Sequence, residues 1–246
     1  MANTLILIPS RMAATRLPGK PLLKINNLSI ISHVFKKAEE ADIGEVLVAT
    51  EDQEILDDVL KNGGKGILTS KGHKTGTDRV FEAYKKLDIR NIDYVLNLQG
   101  DEPNINKEDI VSLNNHMINS NSEIGTLAAR IKDNSMLDNK NVVKVITEKK
   151  LEKSNFSLAL NFTRDNLSKS NQNIYHHVGV YMYKVDILEK FVSFEQTKNE
   201  KIYKLEQLRA LDNRLKINVA LTRSSPIGVD TKEDFLAIKK IMEYKS

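Results

Sequence analysis

Three basic side chains lie close together in a loop near the start of the chain, where they could bind phosphate. Arg11, Arg16 and Lys20 alternate there with hydroxyls, prolines and Gly19. The loop reads Ile8-Pro9-Ser10-Arg11-Met12-Ala13-Ala14-Thr15-Arg16-Leu17-Pro18-Gly19-Lys20-Pro21. Proline restrains the backbone, and glycine allows it to approach a ligand closely. A basic, glycine-containing loop can hold phosphates, but the pattern alone fits solvated surface charges equally well.

Two aspartates elsewhere in the chain could bind a divalent cation. Asp101 follows an apolar segment in Asn97-Leu98-Gln99-Gly100-Asp101-Glu102-Pro103, and Asp230 stands just ahead of the last predicted helix. Carboxylates at such positions can hold Mg²⁺ beside bound phosphates. Alternatively, Asp101 or Glu102 caps a turn before Pro103, and Asp230 is an ordinary acid at a helix N-terminus.

A third polar cluster, Lys74-Thr75-Gly76-Thr77-Asp78-Arg79, leads into a predicted helix. The N-terminus of a helix suits an anion or a polar base edge. A capped and solvated helix start explains the same residues equally well.

A fourth group of polar residues lies in the second half of the chain. In a regular strand, His177, Gly179 and Tyr181 would share one face. On a helix, Glu206 and Gln207 would lie off the apolar stripe of leucines in Leu205-Glu206-Gln207-Leu208-Arg209-Ala210-Leu211. Taken alone, His177 is explained as a half-buried structural histidine and Glu206 as an i,i+3 partner of Arg209. His33, His73 and His116 have no polar cluster around them and are interpreted as structural.

Alternating strands and helices must position these side chains. The first half predicts strands at residues 5–8, 45–50, 66–69 and 93–98, separated by helices at 30–41, 53–61, 77–87 and 107–119. This alternation favours an α/β fold with a doubly wound, mostly parallel Rossmann-like sheet. The second half predicts strands at 124–131, 142–147, 156–162, 178–183 and 216–221, and helices at 185–192, 203–211 and 232–244. These extra strands would complete one domain over residues 1–246 rather than form a second.

Composition excludes several classes of protein. The 246 residues include no cysteine, so disulfides, thiolate metal sites and cysteine nucleophiles are excluded. The net charge is +4, but the lysines are scattered among acidic residues and form no long basic run, which argues against nucleic-acid binding. No apolar run is long enough to span a membrane, and the start of the chain has no signal-peptide pattern, so we expect a cytoplasmic protein. The chain also lacks a nucleophile elbow, a P-loop and a dinucleotide-binding glycine fingerprint.

Taken in order, the motifs resemble those of the 3-deoxy-manno-octulosonate (Kdo) cytidylyltransferases, a family of sugar nucleotidyltransferases. The resemblance runs nearly end to end. It rests on the basic loop and on Val48-Ala49-Thr50, Gly76-Thr77-Asp78-Arg79, Gln99-Gly100-Asp101-Glu102-Pro103, His177-Val178-Gly179-Val180-Tyr181, Leu205-Glu206-Gln207-Leu208-Arg209 and Gly228-Val229-Asp230-Thr231. It implies the nucleotide-diphospho-sugar transferase type of fold, with residues 1–120 mainly binding nucleotide and 121–246 mainly binding sugar and forming a homodimer.

The resemblance also implies a reaction. The anomeric hydroxyl of the sugar acid attacks the α-phosphorus of CTP, which gives CMP-Kdo and pyrophosphate for lipopolysaccharide synthesis. The implied catalytic residues are Arg11, Lys20 and Asp101, and Asp101 and Asp230 would bind Mg²⁺. Nucleotide contacts would come from Pro9, Ser10, Arg11, Lys20, Thr77, Arg79 and Gln99. Sugar contacts would come from Arg164, His177, Tyr181, Glu206 and Gln207.

One segment departs from the family pattern. The family usually has Ser-Arg, a small residue and Ile-Pro at this point, whereas the chain reads Asn161-Phe162-Thr163-Arg164-Asp165-Asn166-Leu167. Arg164 is kept, but the Ile-Pro pair is missing. Because this loop borders the sugar site in the family, a related sugar acid stays open as an alternative substrate, either 8-amino-3,8-dideoxy-manno-octulosonate or a sialate-like acid. A non-catalytic nucleotide-binding protein is a further alternative.

Overall fold

The computed structural model describes residues 2–13, 16–89, 91–167, 173–224 and 228–244. They group into two compact units, Met1–Val111 with Pro226–Ser246, and Ser112–Ser225. Ala14 and Thr15 of the basic loop lie outside the described residues. The expectation of a single domain stays a prediction.

The first unit is built on a parallel sheet of four strands, β1 (Thr4–Ser10), β4 (Gly44–Thr50), β5 (Gly66–Leu68) and β6 (Tyr94–Asn97). Across the sheet they lie in the order β5-β4-β1-β6. A separate short ladder pairs β2 (Lys24–Ile25) with β3 (Leu28–Ser29). The apolar residues 5–8 of β1 are fully buried. Successive strand side chains point to opposite faces, so both faces of β1 are covered.

Helices of the first unit follow the predicted pattern closely. They are α1 (Ile30–Glu39), α2 (Gln53–Lys61), α3 (Gly76–Leu87), α4 (Lys107–Ser120), within which the chain passes into the second unit, and α10 (Lys232–Glu243). Two of them start with a capping box, formed by Thr75 with Asp78 in α3 and by Thr231 with Asp234 in α10. In each box the threonine accepts a backbone hydrogen bond and the aspartate returns one, which fixes the helix start.

The second unit has a mixed sheet, so the prediction of a mostly parallel sheet does not extend to it. Its strands are β7 (Ile124–Ala129), β8 (Lys144–Thr147), β9 (Phe156–Thr163), β10 (Ile174–Lys184) and β11 (Ile217–Leu221). Within the unit the order is β10-β7-β11-β9-β8, and β8 also pairs with β10. Among the described pairs of this unit, β7 and β11 are parallel and the other neighbours are antiparallel. Antiparallel neighbours need no long crossover helix, and short segments link β8 to β9 and β9 to β10.

The helices of the second unit correct one prediction. They are α5 (Ser135–Asp138), α6 (Leu151–Ser154), α7 (Val185–Ser193), α8 (Lys198–Tyr203) and α9 (Leu208–Asp212). The single helix predicted over residues 203–211 is wrong, because Lys204 has a left-handed backbone (φ 52°) that ends α8. Glu206 and Gln207 therefore lie in the connection between two short helices. No described helix is both long and apolar enough to cross a membrane.

Candidate active site

The basic loop of the first unit is folded back on itself where β1 ends. The Met12 amide donates a 2.7 Å hydrogen bond to Asp52 Oδ2, and the Gly19 amide donates to the Met12 carbonyl at 3.3 Å. Gly19 has a left-handed backbone (φ 69°), a conformation that costs glycine little. A 3₁₀ turn, Lys20–Leu22, starts directly after it. The loop thus fixes the backbone from which the Lys20 side chain extends.

Lys20 joins the two aspartates that the sequence places far apart. Its Nζ lies 2.7 Å from Asp101 Oδ2 and 3.3 Å from Asp230 Oδ1. Arg16 reaches the other oxygen of Asp230 at 2.9 Å. The Lys20 side chain is 13% exposed, whereas those of Asp101 and Asp230 are 30% and 46% exposed. Two carboxylates therefore converge on one cation at an accessible position.

Packing of α10 places Asp230 beside Asp101. Val229 and Ile238 belong to a buried cluster with Ile25 and Ile30. The Val229 amide donates to the Asp101 carbonyl at 2.9 Å. The next amide, that of Asp230, donates to Asp234 Oδ2 at 3.1 Å, which ties Asp230 to the start of α10.

These groups line a cavity of about 360 Å³ within the first unit. Its wall is formed by Pro9, Ser10, Arg11, Ala13, Arg16, Lys20, Pro21, His73, Lys74, Thr75, Gly76, Arg79, Gln99, Gly100, Asp101 and Asp230. Gly100 has to be small here, since an added methyl group would lie 2.9 Å from Ile31 Cδ1 and 3.0 Å from the Pro9 carbonyl. All but one of the residues predicted to bind nucleotide or metal lie on this wall.

Thr77 is the exception, because it is not among the described residues that form the wall of the cavity. It is buried, and its hydroxyl accepts a 3.3 Å hydrogen bond from Asn97 Nδ2. Asn97 Oδ1 in turn accepts from Gln99 Nε2 at 3.0 Å. Thr77 thus belongs to a polar chain that orients Gln99, which does line the cavity.

Arg79 reaches the wall of the cavity but is already paired. Its guanidinium contacts Glu51 Oε2 and Thr69 Oγ1, each at 2.5 Å, and its side chain is 3% exposed. The hydrogen bond from Arg79 is the main reason why the pKa of Glu51 lies below its usual value. Arg79 therefore braces the ends of β4 and β5 in addition to lining the site.

His73, interpreted from the sequence as structural, also lines this cavity. Its Nε2 is hydrogen-bonded to Glu82 Oε2, and Glu82 Oε1 accepts from the Ser70 amide at 2.8 Å and contacts Lys86 Nζ at 2.6 Å. Burial raises the pKa of Glu82, but the hydrogen bonds from Lys86, Ser70 and His73 outweigh it and lower the pKa to about 2. Glu82 is thus ionised at neutral pH. In the sequence, His73 directly precedes the polar cluster that begins at Lys74, and this position was the signal that could have assigned it to the site.

In the second unit, an irregularity in β10 brings His177 and Tyr181 together. His177 pairs with Ala128 and Tyr181 with Thr126, and the register shifts between Val178 and Tyr181. The bulge adds two residues to β10 without changing the face on which these two side chains lie. Their ring centroids are 5.4 Å apart. The prediction that His177 and Tyr181 share a face is confirmed, whereas Gly179, predicted to share it, lies within the irregular stretch and has no partner in the described register.

Burial controls the protonation of both rings. Desolvation, helped by the charges of His176 and Arg164, lowers the pKa of His177 to about 3. Desolvation also raises the pKa of Tyr181 well above its usual value, as do Tyr183 and Glu206. At neutral pH both rings are therefore uncharged. The Tyr181 hydroxyl has no hydrogen-bond partner among the described residues.

Thr126, which the sequence analysis did not single out, fixes the tautomer of His177. Its Oγ1 lies 2.7 Å from the Val180 carbonyl, to which it donates, and 3.1 Å from His177 Nε2. Since the hydroxyl proton is used on the carbonyl, His177 Nε2 carries the hydrogen.

The remaining predicted sugar-binding residues occupy the same unit. Gln207 is buried, while the Glu206 side chain is 30% exposed with Oε1 3.9 Å from Arg209 Nη2. Arg164 donates to the carbonyls of Lys140 and Asn141 at 3.2 and 3.1 Å. Its charge also acts on His177.

Lys144, a second residue that the sequence analysis passed over, is fully buried in β8. Its Nζ donates to the carbonyls of Asn139 and Arg164 at 3.2 and 3.0 Å. Burial lowers the pKa of Lys144, and the negative charge of Asp165 only partly opposes this shift. A lysine within the apolar run Val142-Val143-Lys144-Val145-Ile146 was the signal for such a role. Lys144 thus links the backbone of Arg164 to the segment at residues 139–141, whose carbonyls accept hydrogen bonds from the Arg164 side chain.

Comparison with known proteins identifies close relatives over the whole length. A sequence profile of the family described as cytidylyltransferase matches residues 5–217. The chain is 43% identical over 249 residues to the 3-deoxy-manno-octulosonate cytidylyltransferase of Thermodesulfovibrio yellowstonii, covering 97% of this chain and 98% of the relative. It is 43% identical over 241 residues to that of Afipia carboxidovorans, covering 98% and 97%.

Solved structures agree with these matches. CMP:2-keto-3-deoxy-manno-octonic acid synthetase complexed with CTP superposes with a TM-score of 0.90 at 30% identity, covering 100% of both chains. A UDP-glucose pyrophosphorylase complexed with UDP-glucose reaches a TM-score of 0.75 at 14% identity over 100% of both chains, which shows a shared fold alone. The fold is thus the mixed α/β fold of nucleotidyltransferases.

Proposed function

The chain belongs to the cytidylyltransferase family, among the 3-deoxy-manno-octulosonate enzymes, and we propose that it activates Kdo with CTP to give CMP-Kdo and pyrophosphate. The observation that carries this proposal is the convergence of Lys20, Asp101 and Asp230 in a cavity lined by further basic groups. A triphosphate needs such cations, and phosphoryl-type transfer depends on positioning and charge neutralisation.

The basic loop neutralises the triphosphate in this reaction. Arg11 and Lys20 line the cavity, and Arg16 stands beside Asp230. The sugar hydroxyl oxygen forms a bond to the α-phosphorus, the bond to the pyrophosphate oxygen breaks, and the hydroxyl proton is released. Positive charge from Arg11 and Lys20 stabilises the negative charge that develops on the leaving pyrophosphate.

Asp101 and Asp230 fit a magnesium ion. Their carboxylates already converge on one ammonium group, and magnesium is typically held by one or two carboxylates together with substrate phosphates. The described residues contain no cluster of three or more histidine, aspartate or glutamate ligands, so phosphate oxygens and water would supply the remaining positions. When bound, the ion polarises the α-phosphate and lowers the pKa of the attacking hydroxyl.

The second unit supplies the sugar contacts in this proposal. Neutral His177, the buried hydroxyl of Tyr181 and the amide of Gln207 suit the hydroxyls of a sugar acid. Glu206 accepts hydrogen bonds from those hydroxyls. Arg164 offers the positive charge for the sugar carboxylate.

The proposal also covers the location, the pathway and the assembly of the enzyme. The enzyme acts in the cytoplasm, where CTP is available. Its product serves lipopolysaccharide synthesis, and it works as a homodimer formed through the second half, as the family resemblance implies. The names of the curated relatives favour Kdo over the 8-amino sugar.

A pyrophosphate-release assay tests the proposed function. Purified protein with Mg²⁺ is given CTP, UTP, GTP or ATP, each with and without Kdo. We expect release with CTP only when Kdo is present, and loss of release when EDTA removes the metal. Release with UTP or GTP but not CTP would overturn the proposal. Comparing kcat/KM for Kdo, its 8-amino analogue and a sialic acid separates the possible sugars, and nucleotide binding without any product would instead favour a binding protein.

A further inference from the structure

A buried ion pair lies next to the segment that carries two of the proposed sugar-binding residues. Arg209 Nε donates to Glu200 Oε2 at 2.8 Å, and Nη2 donates to Glu200 Oε1 at 2.6 Å. The two side chains are only 3% and 4% exposed. This two-point contact needs the planar guanidinium, because an ammonium group cannot present two parallel donors.

Three helices of the second unit fix the pair from different sides. Glu200 belongs to the capping box that starts α8, where the Thr197 amide donates to Oε2 at 3.3 Å. Gln196 Nε2 donates to Oε1 at 3.1 Å. The Arg209 guanidinium carbon lies 4.8 Å from the ring centroid of Phe191 in α7, within the range of a cation–π contact. Arg209 itself is the second residue of α9, so the pair joins α7, α8 and α9.

The segment between α8 and α9 is held by this arrangement. The Leu205 amide donates to the Glu200 carbonyl at 3.4 Å, and the Arg209 amide donates to the Glu206 carbonyl at 3.0 Å. Glu206 Oε1 also lies 3.9 Å from Arg209 Nη2. At the start of the connection, Leu205 is thus bonded to the backbone of Glu200. Glu206, which follows it, is bonded to the backbone of Arg209.

We propose that Arg209 is a positioning residue for the sugar acid. Paired with Glu200, it holds Glu206 and Gln207 in the conformation that binds sugar hydroxyls, and it does not itself touch substrate. The inference rests on the proposed function, because it assigns Glu206 and Gln207 to the sugar. It predicts an effect on the sugar acid alone, since the CTP residues lie in the other unit.

Steady-state kinetics with both substrates test this role. Arg209→Lys keeps the charge but loses the two-point contact, Glu200→Gln removes the carboxylate charge, and Phe191→Leu removes the ring while leaving the ion pair. We expect the KM for Kdo to rise at least about tenfold in the first two variants and less in Phe191→Leu, with the KM for CTP within about twofold of wild type. Arg130→Gln is the matched control, because Arg130 pairs with Glu152 on an exposed surface of the same unit and should change neither KM.

Circular dichroism and thermal unfolding first establish which variants are folded. If Arg209→Lys or Glu200→Gln does not fold, Phe191→Leu still gives the KM comparison. Equal loss for both substrates, or a fall in kcat with unchanged KM for Kdo, would show a general structural role and overturn the inference. An unchanged KM for Kdo in folded Arg209→Lys would also overturn it. Wild-type protein that makes no CMP-Kdo would refute the proposed function instead, so the two failures are distinguishable.

Discussion

The two clusters of functional side chains handle charge in opposite ways. In the first unit, Lys20, Asp101, Asp230 and Arg16 form ion pairs, and three of these four side chains are 30% exposed or more. In the second unit, His177 is buried and Tyr181 has a buried hydroxyl, and desolvation favours the uncharged form of both rings. Exposed ion pairs in water are weak, whereas the protonation states of buried groups are set by their surroundings.

This difference matches the chemistry proposed for each half. An exposed pair such as Arg16–Asp230 can be exchanged for phosphate oxygens and a metal ion with little loss of stability. Uncharged, desolvated groups distinguish sugar hydroxyls by hydrogen-bond geometry, because an unpaired polar group is costly where water is excluded. The first cluster thus suits a highly charged ligand that arrives and leaves, and the second suits recognition.

Removal of one charge from the first cluster should have the largest effect. We expect Asp101→Asn to lower kcat at least about a hundredfold, because a neutral amide is a far weaker partner for Lys20 and magnesium than a carboxylate. The pyrophosphate-release assay measures this. Asp57→Asn, on the exposed face of α2, is the control and should retain full activity. Activity near wild type in Asp101→Asn would contradict the proposal that this cluster binds magnesium and the triphosphate.

Acid should destabilise the second cluster through His177. Its pKa is about 3 in the folded protein against an ordinary value of 6.5, so the unfolded chain binds the proton first as the pH falls. Stability contributed by neutral His177 is present above pH 6.5 and decreases below it. Between pH 7 and pH 5 we expect wild type to lose about 2 kcal/mol more than His177→Gln in the free energy of unfolding. Urea denaturation at both pH values measures the difference, and equal losses would mean that His177 is hydrated and not buried.

Loss of one buried hydroxyl should affect only the sugar. We expect Tyr181→Phe to raise the KM for Kdo about tenfold, the value of one hydrogen bond to substrate, and to leave the KM for CTP unchanged. Tyr244, which is 84% exposed, provides the control Tyr244→Phe. A larger rise in the KM for CTP than in the KM for Kdo would contradict the proposal that the first cluster binds nucleotide and the second binds sugar.

The smallest effect is expected from the exposed pair of the first cluster. Arg16 and Asp230 are 61% and 46% exposed, so Arg16→Gln should change the free energy of unfolding by less than about 0.5 kcal/mol. Its kcat/KM for CTP should fall much less than that of Lys20→Gln, which loses a contact to both aspartates. If the two variants are equally impaired, Arg16 is a direct triphosphate ligand and not a brace for the loop.

Local patterns were sufficient to predict most of the first unit. The strand at residues 5–8 follows from its apolar run, and the bounds of α2 match the predicted 53–61, where Asn62-Gly63-Gly64 marks the end of the helix. The Thr231–Asp234 capping box likewise depends on two residues that are three positions apart. These features depend on neighbours a few residues apart.

The second unit was harder because its decisive features depend on distant contacts. Nothing local marks Lys204 as left-handed, since the position usually favours glycine or asparagine. The bulge in β10 appears only when its pairing with β7 is known. The antiparallel partners of β8 and β9 likewise follow from tertiary packing.

The candidate site divides in the same way. The types of its residues were predictable, but the meeting of Asp101 with Asp230 through Lys20 depends on the packing of α10. Glu82 gave no sequence signal, because its partners Ser70, His73 and Lys86 converge only in the folded unit.

The return of residues after 225 to the first unit has a consequence for biosynthesis. Asp101 emerges from the ribosome long before Asp230, and the Val229–Asp101 backbone hydrogen bond cannot form until translation has passed residue 229. A nascent chain can therefore fold the second unit while the first still lacks one wall of its cavity. Because domains tend to fold as they are synthesised, the cavity of the first unit is completed only late in translation, after the residues of the other unit have been made.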